Sequence, residues 1–300
     1  MREPQSSLSW HYQAHEFGRF PSGSESNPAY RAAIASCAEA ILRMHVAEKL
    51  VSKVFGRNLQ SHAAGLVLVM HCEAQRGAGQ RPTLGAIQRE MGSPRTLAAF
   101  FALLRLAGYV GVEPVPGDRR SAWLVPAPPL FAGLRQWLAH HADCSETMGL
   151  APPGLAERLR TDDAWLHLYL GHARPLLARV RQAMAGDGAW AWFDRFDCGD
   201  RIALVLLHAH HAGAEPGGAG PHWFPLGGRR IAQRIGISHS HLRNVVNGAE
   251  KQGLVFQDRD SGRIALSPRF LVESEAWFSA FWGWIAETAR EAQAASAAGR

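Results

Sequence analysis

Two runs of the chain, residues 83–125 and 226–266, carry the same landmarks in the same order. Each run reads as a helix, a tight turn, a second helix that ends at a glycine, and a charged hairpin. The corresponding landmarks are Ile87 and Ile231, Gly92 and Gly236, and Gly108 and Gly253. Their separation is nearly constant, and a constant separation over several landmarks predicts a duplicated structural unit.

This order of elements is that of a winged helix–turn–helix, a fold that mostly binds nucleic acid. We therefore predict a mainly α-helical fold with small β-hairpin wings, in which two winged helix–turn–helix modules are joined by long helices. The predicted organisation is a flexible N-terminal arm (1–28), module one (29–144), module two with a tryptophan-rich C-terminal helix (145–291) and a disordered tail (292–300). Residues 143–154 contain glycine and two prolines and form the predicted linker.

Hydrophobic periodicity predicts long helices outside the two runs. One helix is expected at 29–55, and a second, apolar on nearly every side, at 61–75. In the second half a helix is expected at 155–185, bent near Pro175.

The last helix has an unusually wide apolar face. One stripe contains Trp277, Phe281 and Trp284, and the adjacent stripe contains Phe278, Trp282 and Ile285. A face of this width must be covered by module one or by another chain. The sequence leaves open both an intramolecular core and a homodimer through this helix.

Composition favours a soluble protein with an anionic partner. The formal net charge is +6 and the pI is near 9.5, which favours contacts with phosphate groups. The four cysteines are widely spaced, so we expect reduced thiols rather than a disulfide framework. The first 28 residues lack the apolar core of a signal peptide, and the longest apolar runs are too short to cross a bilayer. The expected localisation is cytoplasmic.

In module one the candidate DNA contacts lie at the start of the second helix and in the hairpin. They are Ser93, Arg95, Thr96, Arg119 and Arg120. Ser93 is the predicted N-cap of a helix with Pro94 at its first position. Leu97, Phe101 and Leu104 share the predicted buried face, which leaves Arg95 and Thr96 outside.

The same stretch resembles the MarR family of bacterial transcriptional regulators over residues 29–141. The resemblance is carried by the turn glycine, by Ala107-Gly108-Tyr109-Val110, and by Asp118-Arg119-Arg120-Ser121-Ala122 in the hairpin. It implies that Asp118 pairs with Arg120, the wing arginine that reaches DNA, and that a small ligand could shift the wings. MarR-type chains usually carry one module and dimerise, so a doubled chain departs from the family pattern.

Module two has the chemically richer second helix. Its candidate DNA contacts are Ser238, His239, Ser240, His241, Arg243, Asn244 and Asn247, together with Arg259 and Arg263 in a hairpin whose motif is looser. Arginine and asparagine can read guanine and adenine through paired hydrogen bonds. We therefore expect module two to supply more sequence specificity and module one mostly a grip on the DNA backbone.

Nothing in the sequence points to catalysis. There is no phosphate-binding Gly-x-x-x-x-Gly-Lys loop and no Gly-x-Ser-x-Gly elbow, so we predict that the chain is not an enzyme and identify no catalytic residue or cofactor. The histidines that could gather around zinc are His208, His210, His211, His222, His239 and His241. Their spacing matches no familiar metal motif, so we predict no metal site and keep metal binding as an alternative.

The sequence therefore predicts a sequence-specific regulator of transcription that binds double-stranded DNA. A small-molecule effector is expected through the family resemblance, and no membrane partner is expected. Two further alternatives are a protein-interaction scaffold that uses the tryptophan-rich helix and a plasmid replication initiator with tandem winged helices. Salt dependence would separate DNA binding from an apolar protein contact.

Overall fold

The computed structural model describes residues 27–47, 55, 57–213 and 221–298, which are mainly helical with two small antiparallel sheets. This confirms the predicted fold class at the level of a mainly α fold with small β-hairpins. Nearly all of the predicted arm (1–28) lies outside the described residues, as do residues 48–54 at the end of the predicted helix 29–55.

The described elements of the first half begin with two long helices and end with a third. They are α1 (Pro28–Ala47), α2 (Asn58–Gln75), α3 (Leu84–Met91), α4 (Pro94–Leu106), β1 (Val110–Val115), β2 (Asp118–Pro126) and α5 (Pro128–Thr147). We call residues 83–126, which contain the helix pair α3–α4 and the hairpin β1–β2, unit one.

The second half places a helix pair, a hairpin and a long helix in the same order. Its elements are α6 (Leu155–Thr161), α7 (Asp163–Leu170), α8 (Arg174–Met184), α9 (Ala189–Asp194), α10 (Gly199–Gly213), β3 (Trp223–Pro225), α11 (Gly228–Ile235), α12 (His239–Lys251), β4 (Val255–Asp258), β5 (Arg263–Leu266) and α13 (Pro268–Ala298). We call residues 223–266, which contain β3, the helix pair α11–α12 and the hairpin β4–β5, unit two.

In both units the segment that precedes the first helix pairs with a strand of the hairpin. In unit two, β3 forms an antiparallel edge with β5, with Phe224 opposite Ile264, to give the strand order β3-β5-β4. In unit one the same pairing is reduced to a single bridge between Thr83 and Trp123 beside the β1–β2 hairpin. The sequence did not predict β3, because its three residues stand in a stretch rich in glycine and proline.

Three predicted boundaries differ from the structure. The stretch 155–185 forms three helices, because Asp162 caps a new helix and the chain breaks again at 171–173, while Pro175 lies in the first turn of α8. The predicted linker 143–154 is helical as far as Thr147, and the chain turns only at 148–154. Residues 292–298 of the predicted tail continue α13, because Ala292 packs into the core.

The core is continuous across the two halves. The apolar helix α2 is buried along most of its length, as predicted, and α10 holds the corresponding place in the second half. Helix α1 packs against α5 and α10, and α5 packs against α13. Burying these apolar side chains joins both halves into one hydrophobic cluster.

The wide apolar face of α13 is covered within the chain. Trp282 is fully buried, its indole Nε1 donates to His141 Nδ1 at 3.1 Å, and its carbonyl accepts from Ser145 Oγ at 3.0 Å. Phe281 is also buried and meets the ring of Trp137. The structure therefore has the intramolecular core that the sequence left open as one arrangement, and the homodimer stays a prediction.

Residues that correspond through the repeat contact each other where the two halves meet. His141 and Phe281, 140 positions apart, have ring centroids 4.9 Å apart. Arg290 donates to the carbonyl of Leu150, again 140 positions away, at 3.4 Å. Contacts between corresponding residues arise when two like units are related by an approximate two-fold axis.

Among the described helices, none combines the length and the apolar composition that crossing a bilayer requires.

Candidate nucleic-acid interface

The helix pair of unit one is held by a cap at one helix and by a tight turn at the other. Thr83 Oγ1 accepts from the backbone N–H of Ala86 at 3.2 Å and so caps α3. Gly92 ends α3 with φ 73°, a left-handed value that glycine adopts without strain. Ser93 occupies the N-cap position of α4, as predicted, but its backbone is left-handed (φ 53°) and its side chain makes no capping hydrogen bond. Pro94 begins α4, as predicted.

Helix α4 presents few polar side chains to solvent. Its inward face contains buried Leu97, Phe101 and Leu104, as the periodicity predicts. Arg95 and Thr96 are exposed at its start. Farther along, the exposed positions are occupied by Ala99, Ala102, Leu103 and Leu106. Only the first turn of α4 and Arg105 therefore offer hydrogen-bond donors.

The hairpin of unit one exposes an arginine at its tip. The Asp118 carboxylate accepts from the backbone N–H of Arg120 at 2.9 Å, whereas no ion pair joins it to the Arg120 side chain within the described residues. Hydrogen bonds from the Ser121 side chain and the Arg120 backbone lower the pKa of Asp118. Asp118 thus shapes the turn, and the Arg120 guanidinium stays exposed. The side chain of Arg119 lies outside the described part.

Helix α12 of unit two is capped at its start and buries its apolar side. Ser238 Oγ accepts from the backbone N–H of His241 at 3.1 Å. Its apolar residues recur at helical spacing, and all four of them, Leu242, Val245, Val246 and Ala249, are buried. The apolar spacing of the helix therefore fixes which side chains face solvent.

The predicted polar face of α12 divides into an exposed part and a part bonded within the chain. His239, Ser240, Arg243 and Asn244 are exposed, as is the cap Ser238. His241 Nε2 lies 2.9 Å from the carbonyl of Asp197, and Asn247 Oδ1 accepts from Gln257 Nε2 at 3.0 Å. His241 and Asn247 therefore have structural partners that sequence spacing does not reveal.

The hairpin of unit two carries one paired and one exposed arginine. Arg259 donates to Glu250 Oε2 at 2.6 Å and is tied to the end of α12. Arg263 is exposed at the start of β5. Hydrogen bonds from the side chain and backbone of Ser261 lower the pKa of Asp258, whose carboxylate holds the turn as Asp118 does in unit one.

An open hollow separates the helix pair from the hairpin in each unit. In unit one its volume is about 480 Å³, and its lining includes Leu84, Ala98, Phe101, Val112 and Ala122. In unit two it is about 260 Å³, and its lining includes the corresponding residues Gly228, Arg243, Val246, Gln257 and Gly262. The two hollows occupy equivalent places, but different arginines line them: Arg89, Arg105 and Arg120 line the first, and Arg243, at the position of Ala98, lines the second.

The sequence reasoning overlooked the arginines of α11. Arg229, Arg230 and Arg234 are all exposed. The signal was present as two arginines directly after Gly227-Gly228, at the start of a short helix.

The histidines do not assemble into a metal centre in the described part of the chain, where no group of three or more His, Cys, Asp or Glu side chains is placed to hold an ion. His210 and His222 approach each other with ring centroids 5.6 Å apart. Burial, together with the charges of His222 and Arg31, lowers the pKa of His210 to about 4. His239 and His241 lie instead on α12.

No family model, curated protein or solved structure matches the chain. The inference of function therefore rests on geometry and charge.

Proposed function

We propose that this protein is a cytoplasmic, sequence-specific regulator of transcription that binds double-stranded DNA through two winged helix–turn–helix modules, similar to those of the MarR family. One observation carries the proposal. In each unit the second helix and the hairpin line one open hollow, the start of the second helix is exposed, and the hairpin carries an exposed arginine, Arg120 or Arg263.

This arrangement suits a duplex because its two parts make different contacts. A helix of about 10–12 Å diameter enters the major groove, where base edges are readable. An arginine at a hairpin tip can reach the phosphate backbone or the neighbouring minor groove. The exposed Arg243 and Asn244 offer side chains that pair with guanine and adenine.

The contacts between corresponding residues support a two-module arrangement within one chain. His141 meets Phe281, and Arg290 meets Leu150, at the junction of α5 with α13 and α6. Two like units about an approximate two-fold axis would present two reading helices to one duplex, as a dimer of single-module chains does. The small-molecule effector belongs to the proposal through the family resemblance.

The direct test is the salt dependence of duplex binding by the full chain. A duplex selected from random DNA would be titrated by fluorescence anisotropy between 50 and 300 mM KCl, about the range over which counterion release changes affinity steeply. We expect log K to fall linearly with log salt. Arg120→Ala and Arg263→Ala should each reduce the slope by about one and weaken binding several-fold.

Arg290→Ala is the matched control. It removes one exposed arginine from α13, outside both units, and should leave the slope unchanged. Duplex binding that is absent, or that does not depend on salt, would contradict the proposal and favour a protein-interaction scaffold.

A further inference from the structure

The outward face of α11 is a row of arginines. Arg229, Arg230 and Arg234 are exposed, whereas Ala232 and Ile235 are buried. Positions i, i+1 and i+5 lie on one side of a helix, so the three guanidinium groups share one face. Within the described residues none of the three has an acidic partner. We call these three side chains the arginine face.

The arginine face is continuous with the polar start of α12. Gly228, the first residue of α11, lies against His239, because a Cβ at this glycine would be 3.1 Å from His239 Nε2. The hollow of unit two is lined by Gly228, His239 and Arg243 together. The hollow of unit two therefore has Arg243 in its lining and, directly after its lining residue Gly228, the first residue of the arginine face, Arg229.

Unit one has no arginine at the three corresponding positions, and the exposed arginine of its first helix is Arg89, which lines the hollow. The residues that correspond to Arg229, Arg230 and Arg234 are Gly85, Ala86 and Glu90. Glu90 accepts from Arg174 Nη1 at 3.0 Å, so that position carries a neutralised carboxylate instead of an available cation.

The second helices differ in the same direction. The exposed positions Ala99, Leu103 and Leu106 of α4 correspond to Asn244, Gly248 and Lys251 of α12, whereas the exposed Arg95 and Arg105 correspond to Ser240 and Glu250. Apolar side chains cannot bond to phosphates or base edges, whereas asparagine and lysine can. The excess of arginine in unit two therefore lies in its first helix, while the second helices differ in which positions carry polar side chains.

We infer that the arginine face is a further phosphate-binding surface, and that unit two supplies most of the affinity for DNA as well as the sequence reading. This inference rests on the proposed function. It reverses the expectation from sequence that unit one supplies the backbone grip. The DNA site should then be asymmetric, with a strongly held half at unit two and a weakly held half at unit one.

The size of the effect follows from counterion release. Each neutralised phosphate contributes a factor of roughly five to affinity at physiological salt. Losing three such contacts should weaken binding on the order of 100-fold and reduce the salt slope by about three.

The test compares two triple variants that remove the same charge from different units. The first is Arg229→Ala/Arg230→Ala/Arg234→Ala, and the second is Arg89→Ala/Arg95→Ala/Arg105→Ala. Both are titrated with the duplex used for the wild type, and circular dichroism checks their folding. We expect the large loss for the first and a loss of roughly fivefold for the second, in which Arg95 is the contact.

A third variant, Arg229→Lys/Arg230→Lys/Arg234→Lys, keeps the charge and should retain most of the salt slope, which separates loss of phosphate contacts from misfolding.

If the wild type binds the duplex and the two alanine variants weaken that binding equally, the inference is overturned while the proposed function stands. If the first variant keeps its DNA affinity but loses binding to vesicles containing phosphatidylglycerol, the face binds membranes instead. If the wild type binds no duplex, both proposals are overturned.

Discussion

Asn244 shows how a single side chain distinguishes the two units. It is exposed on α12, and the corresponding position of α4 is Ala99. An asparagine at this place can accept from and donate to adenine, whereas an alanine offers only a methyl group. Under the proposed function, this position should contribute to a difference in sequence reading between the units.

Replacing Asn244 by alanine should relax sequence preference without removing binding. Loss of one bidentate base contact costs about 1–3 kcal/mol of discrimination. Selection from random DNA, with the variant and the wild type in parallel, would show the lost position as a degenerate base. Arg95→Ala is the comparison, and it should lower affinity while the selected sequence stays the same. The assignment fails if Arg95→Ala changes the selected sequence and Asn244→Ala does not.

For single residues, helical spacing in the sequence predicted which side chains are exposed, but it did not predict their hydrogen-bond partners. The buried positions of α12 follow from helical periodicity, so Arg243 and Asn244 were placed outside correctly. The bonds of His241 to Asp197 and of Asn247 to Gln257 join parts of the chain whose approach depends on tertiary packing. Neither bond has a local signal in the sequence.

Among the elements, α4 and α12 begin in different ways. Ser238 is extended at its position and caps α12 with its hydroxyl. The backbone of Ser93 is in the left-handed region, and its hydroxyl makes no capping hydrogen bond to α4. The same residue type at corresponding places therefore contributes differently to stability.

Substitution of the two serines should change stability in opposite directions. Ser238→Ala should cost about 1 kcal/mol of unfolding free energy, because a helix N–H loses its acceptor. Ser93→Gly should stabilise by up to about 1 kcal/mol, because glycine adopts positive φ without a Cβ clash. Urea unfolding monitored by circular dichroism measures both. Destabilisation by Ser93→Gly would show that the serine side chain has a role that its contacts do not reveal.

Element existence was more predictable than element boundaries. The glycines and apolar spacing located the helix pairs and hairpins, since those signals are local. The division of 155–185 into three helices depends on the cap at Asp162 and on the break at 171–173. The strand β3 forms because β5 provides a partner, and its own residues give little strand signal.

For the whole molecule, His141 lies where the two halves meet. Its ring contacts Phe281 and Trp137, and its Nδ1 accepts from Trp282 Nε1. The titratable groups beside it are the Cys37 thiol, with Sγ 3.8 Å from Nδ1, and His140. Burial, aided by the charge of His140, lowers the pKa of His141 to about 3, so the folded chain holds this imidazole neutral.

Acidification should therefore weaken the junction through His141. An unfolded histidine has a pKa of about 6.5, so below that pH the unfolded chain binds a proton that the folded chain excludes. This contribution to stability is complete above about pH 6.5 and is lost progressively as the pH falls toward 3. Between pH 7.5 and 5 the loss from His141 alone should be roughly 2 kcal/mol.

The variant His141→Gln isolates this contribution. Its side-chain carbonyl can still accept from Trp282, but it does not titrate in this range. The other buried histidines, His62, His210 and His211, also have a lowered pKa and affect both proteins alike. Urea unfolding at pH 7.5 and pH 5 should therefore show a loss about 2 kcal/mol smaller in the variant. Equal losses in the two proteins would mean that a proton reaches His141 without opening the junction between the halves.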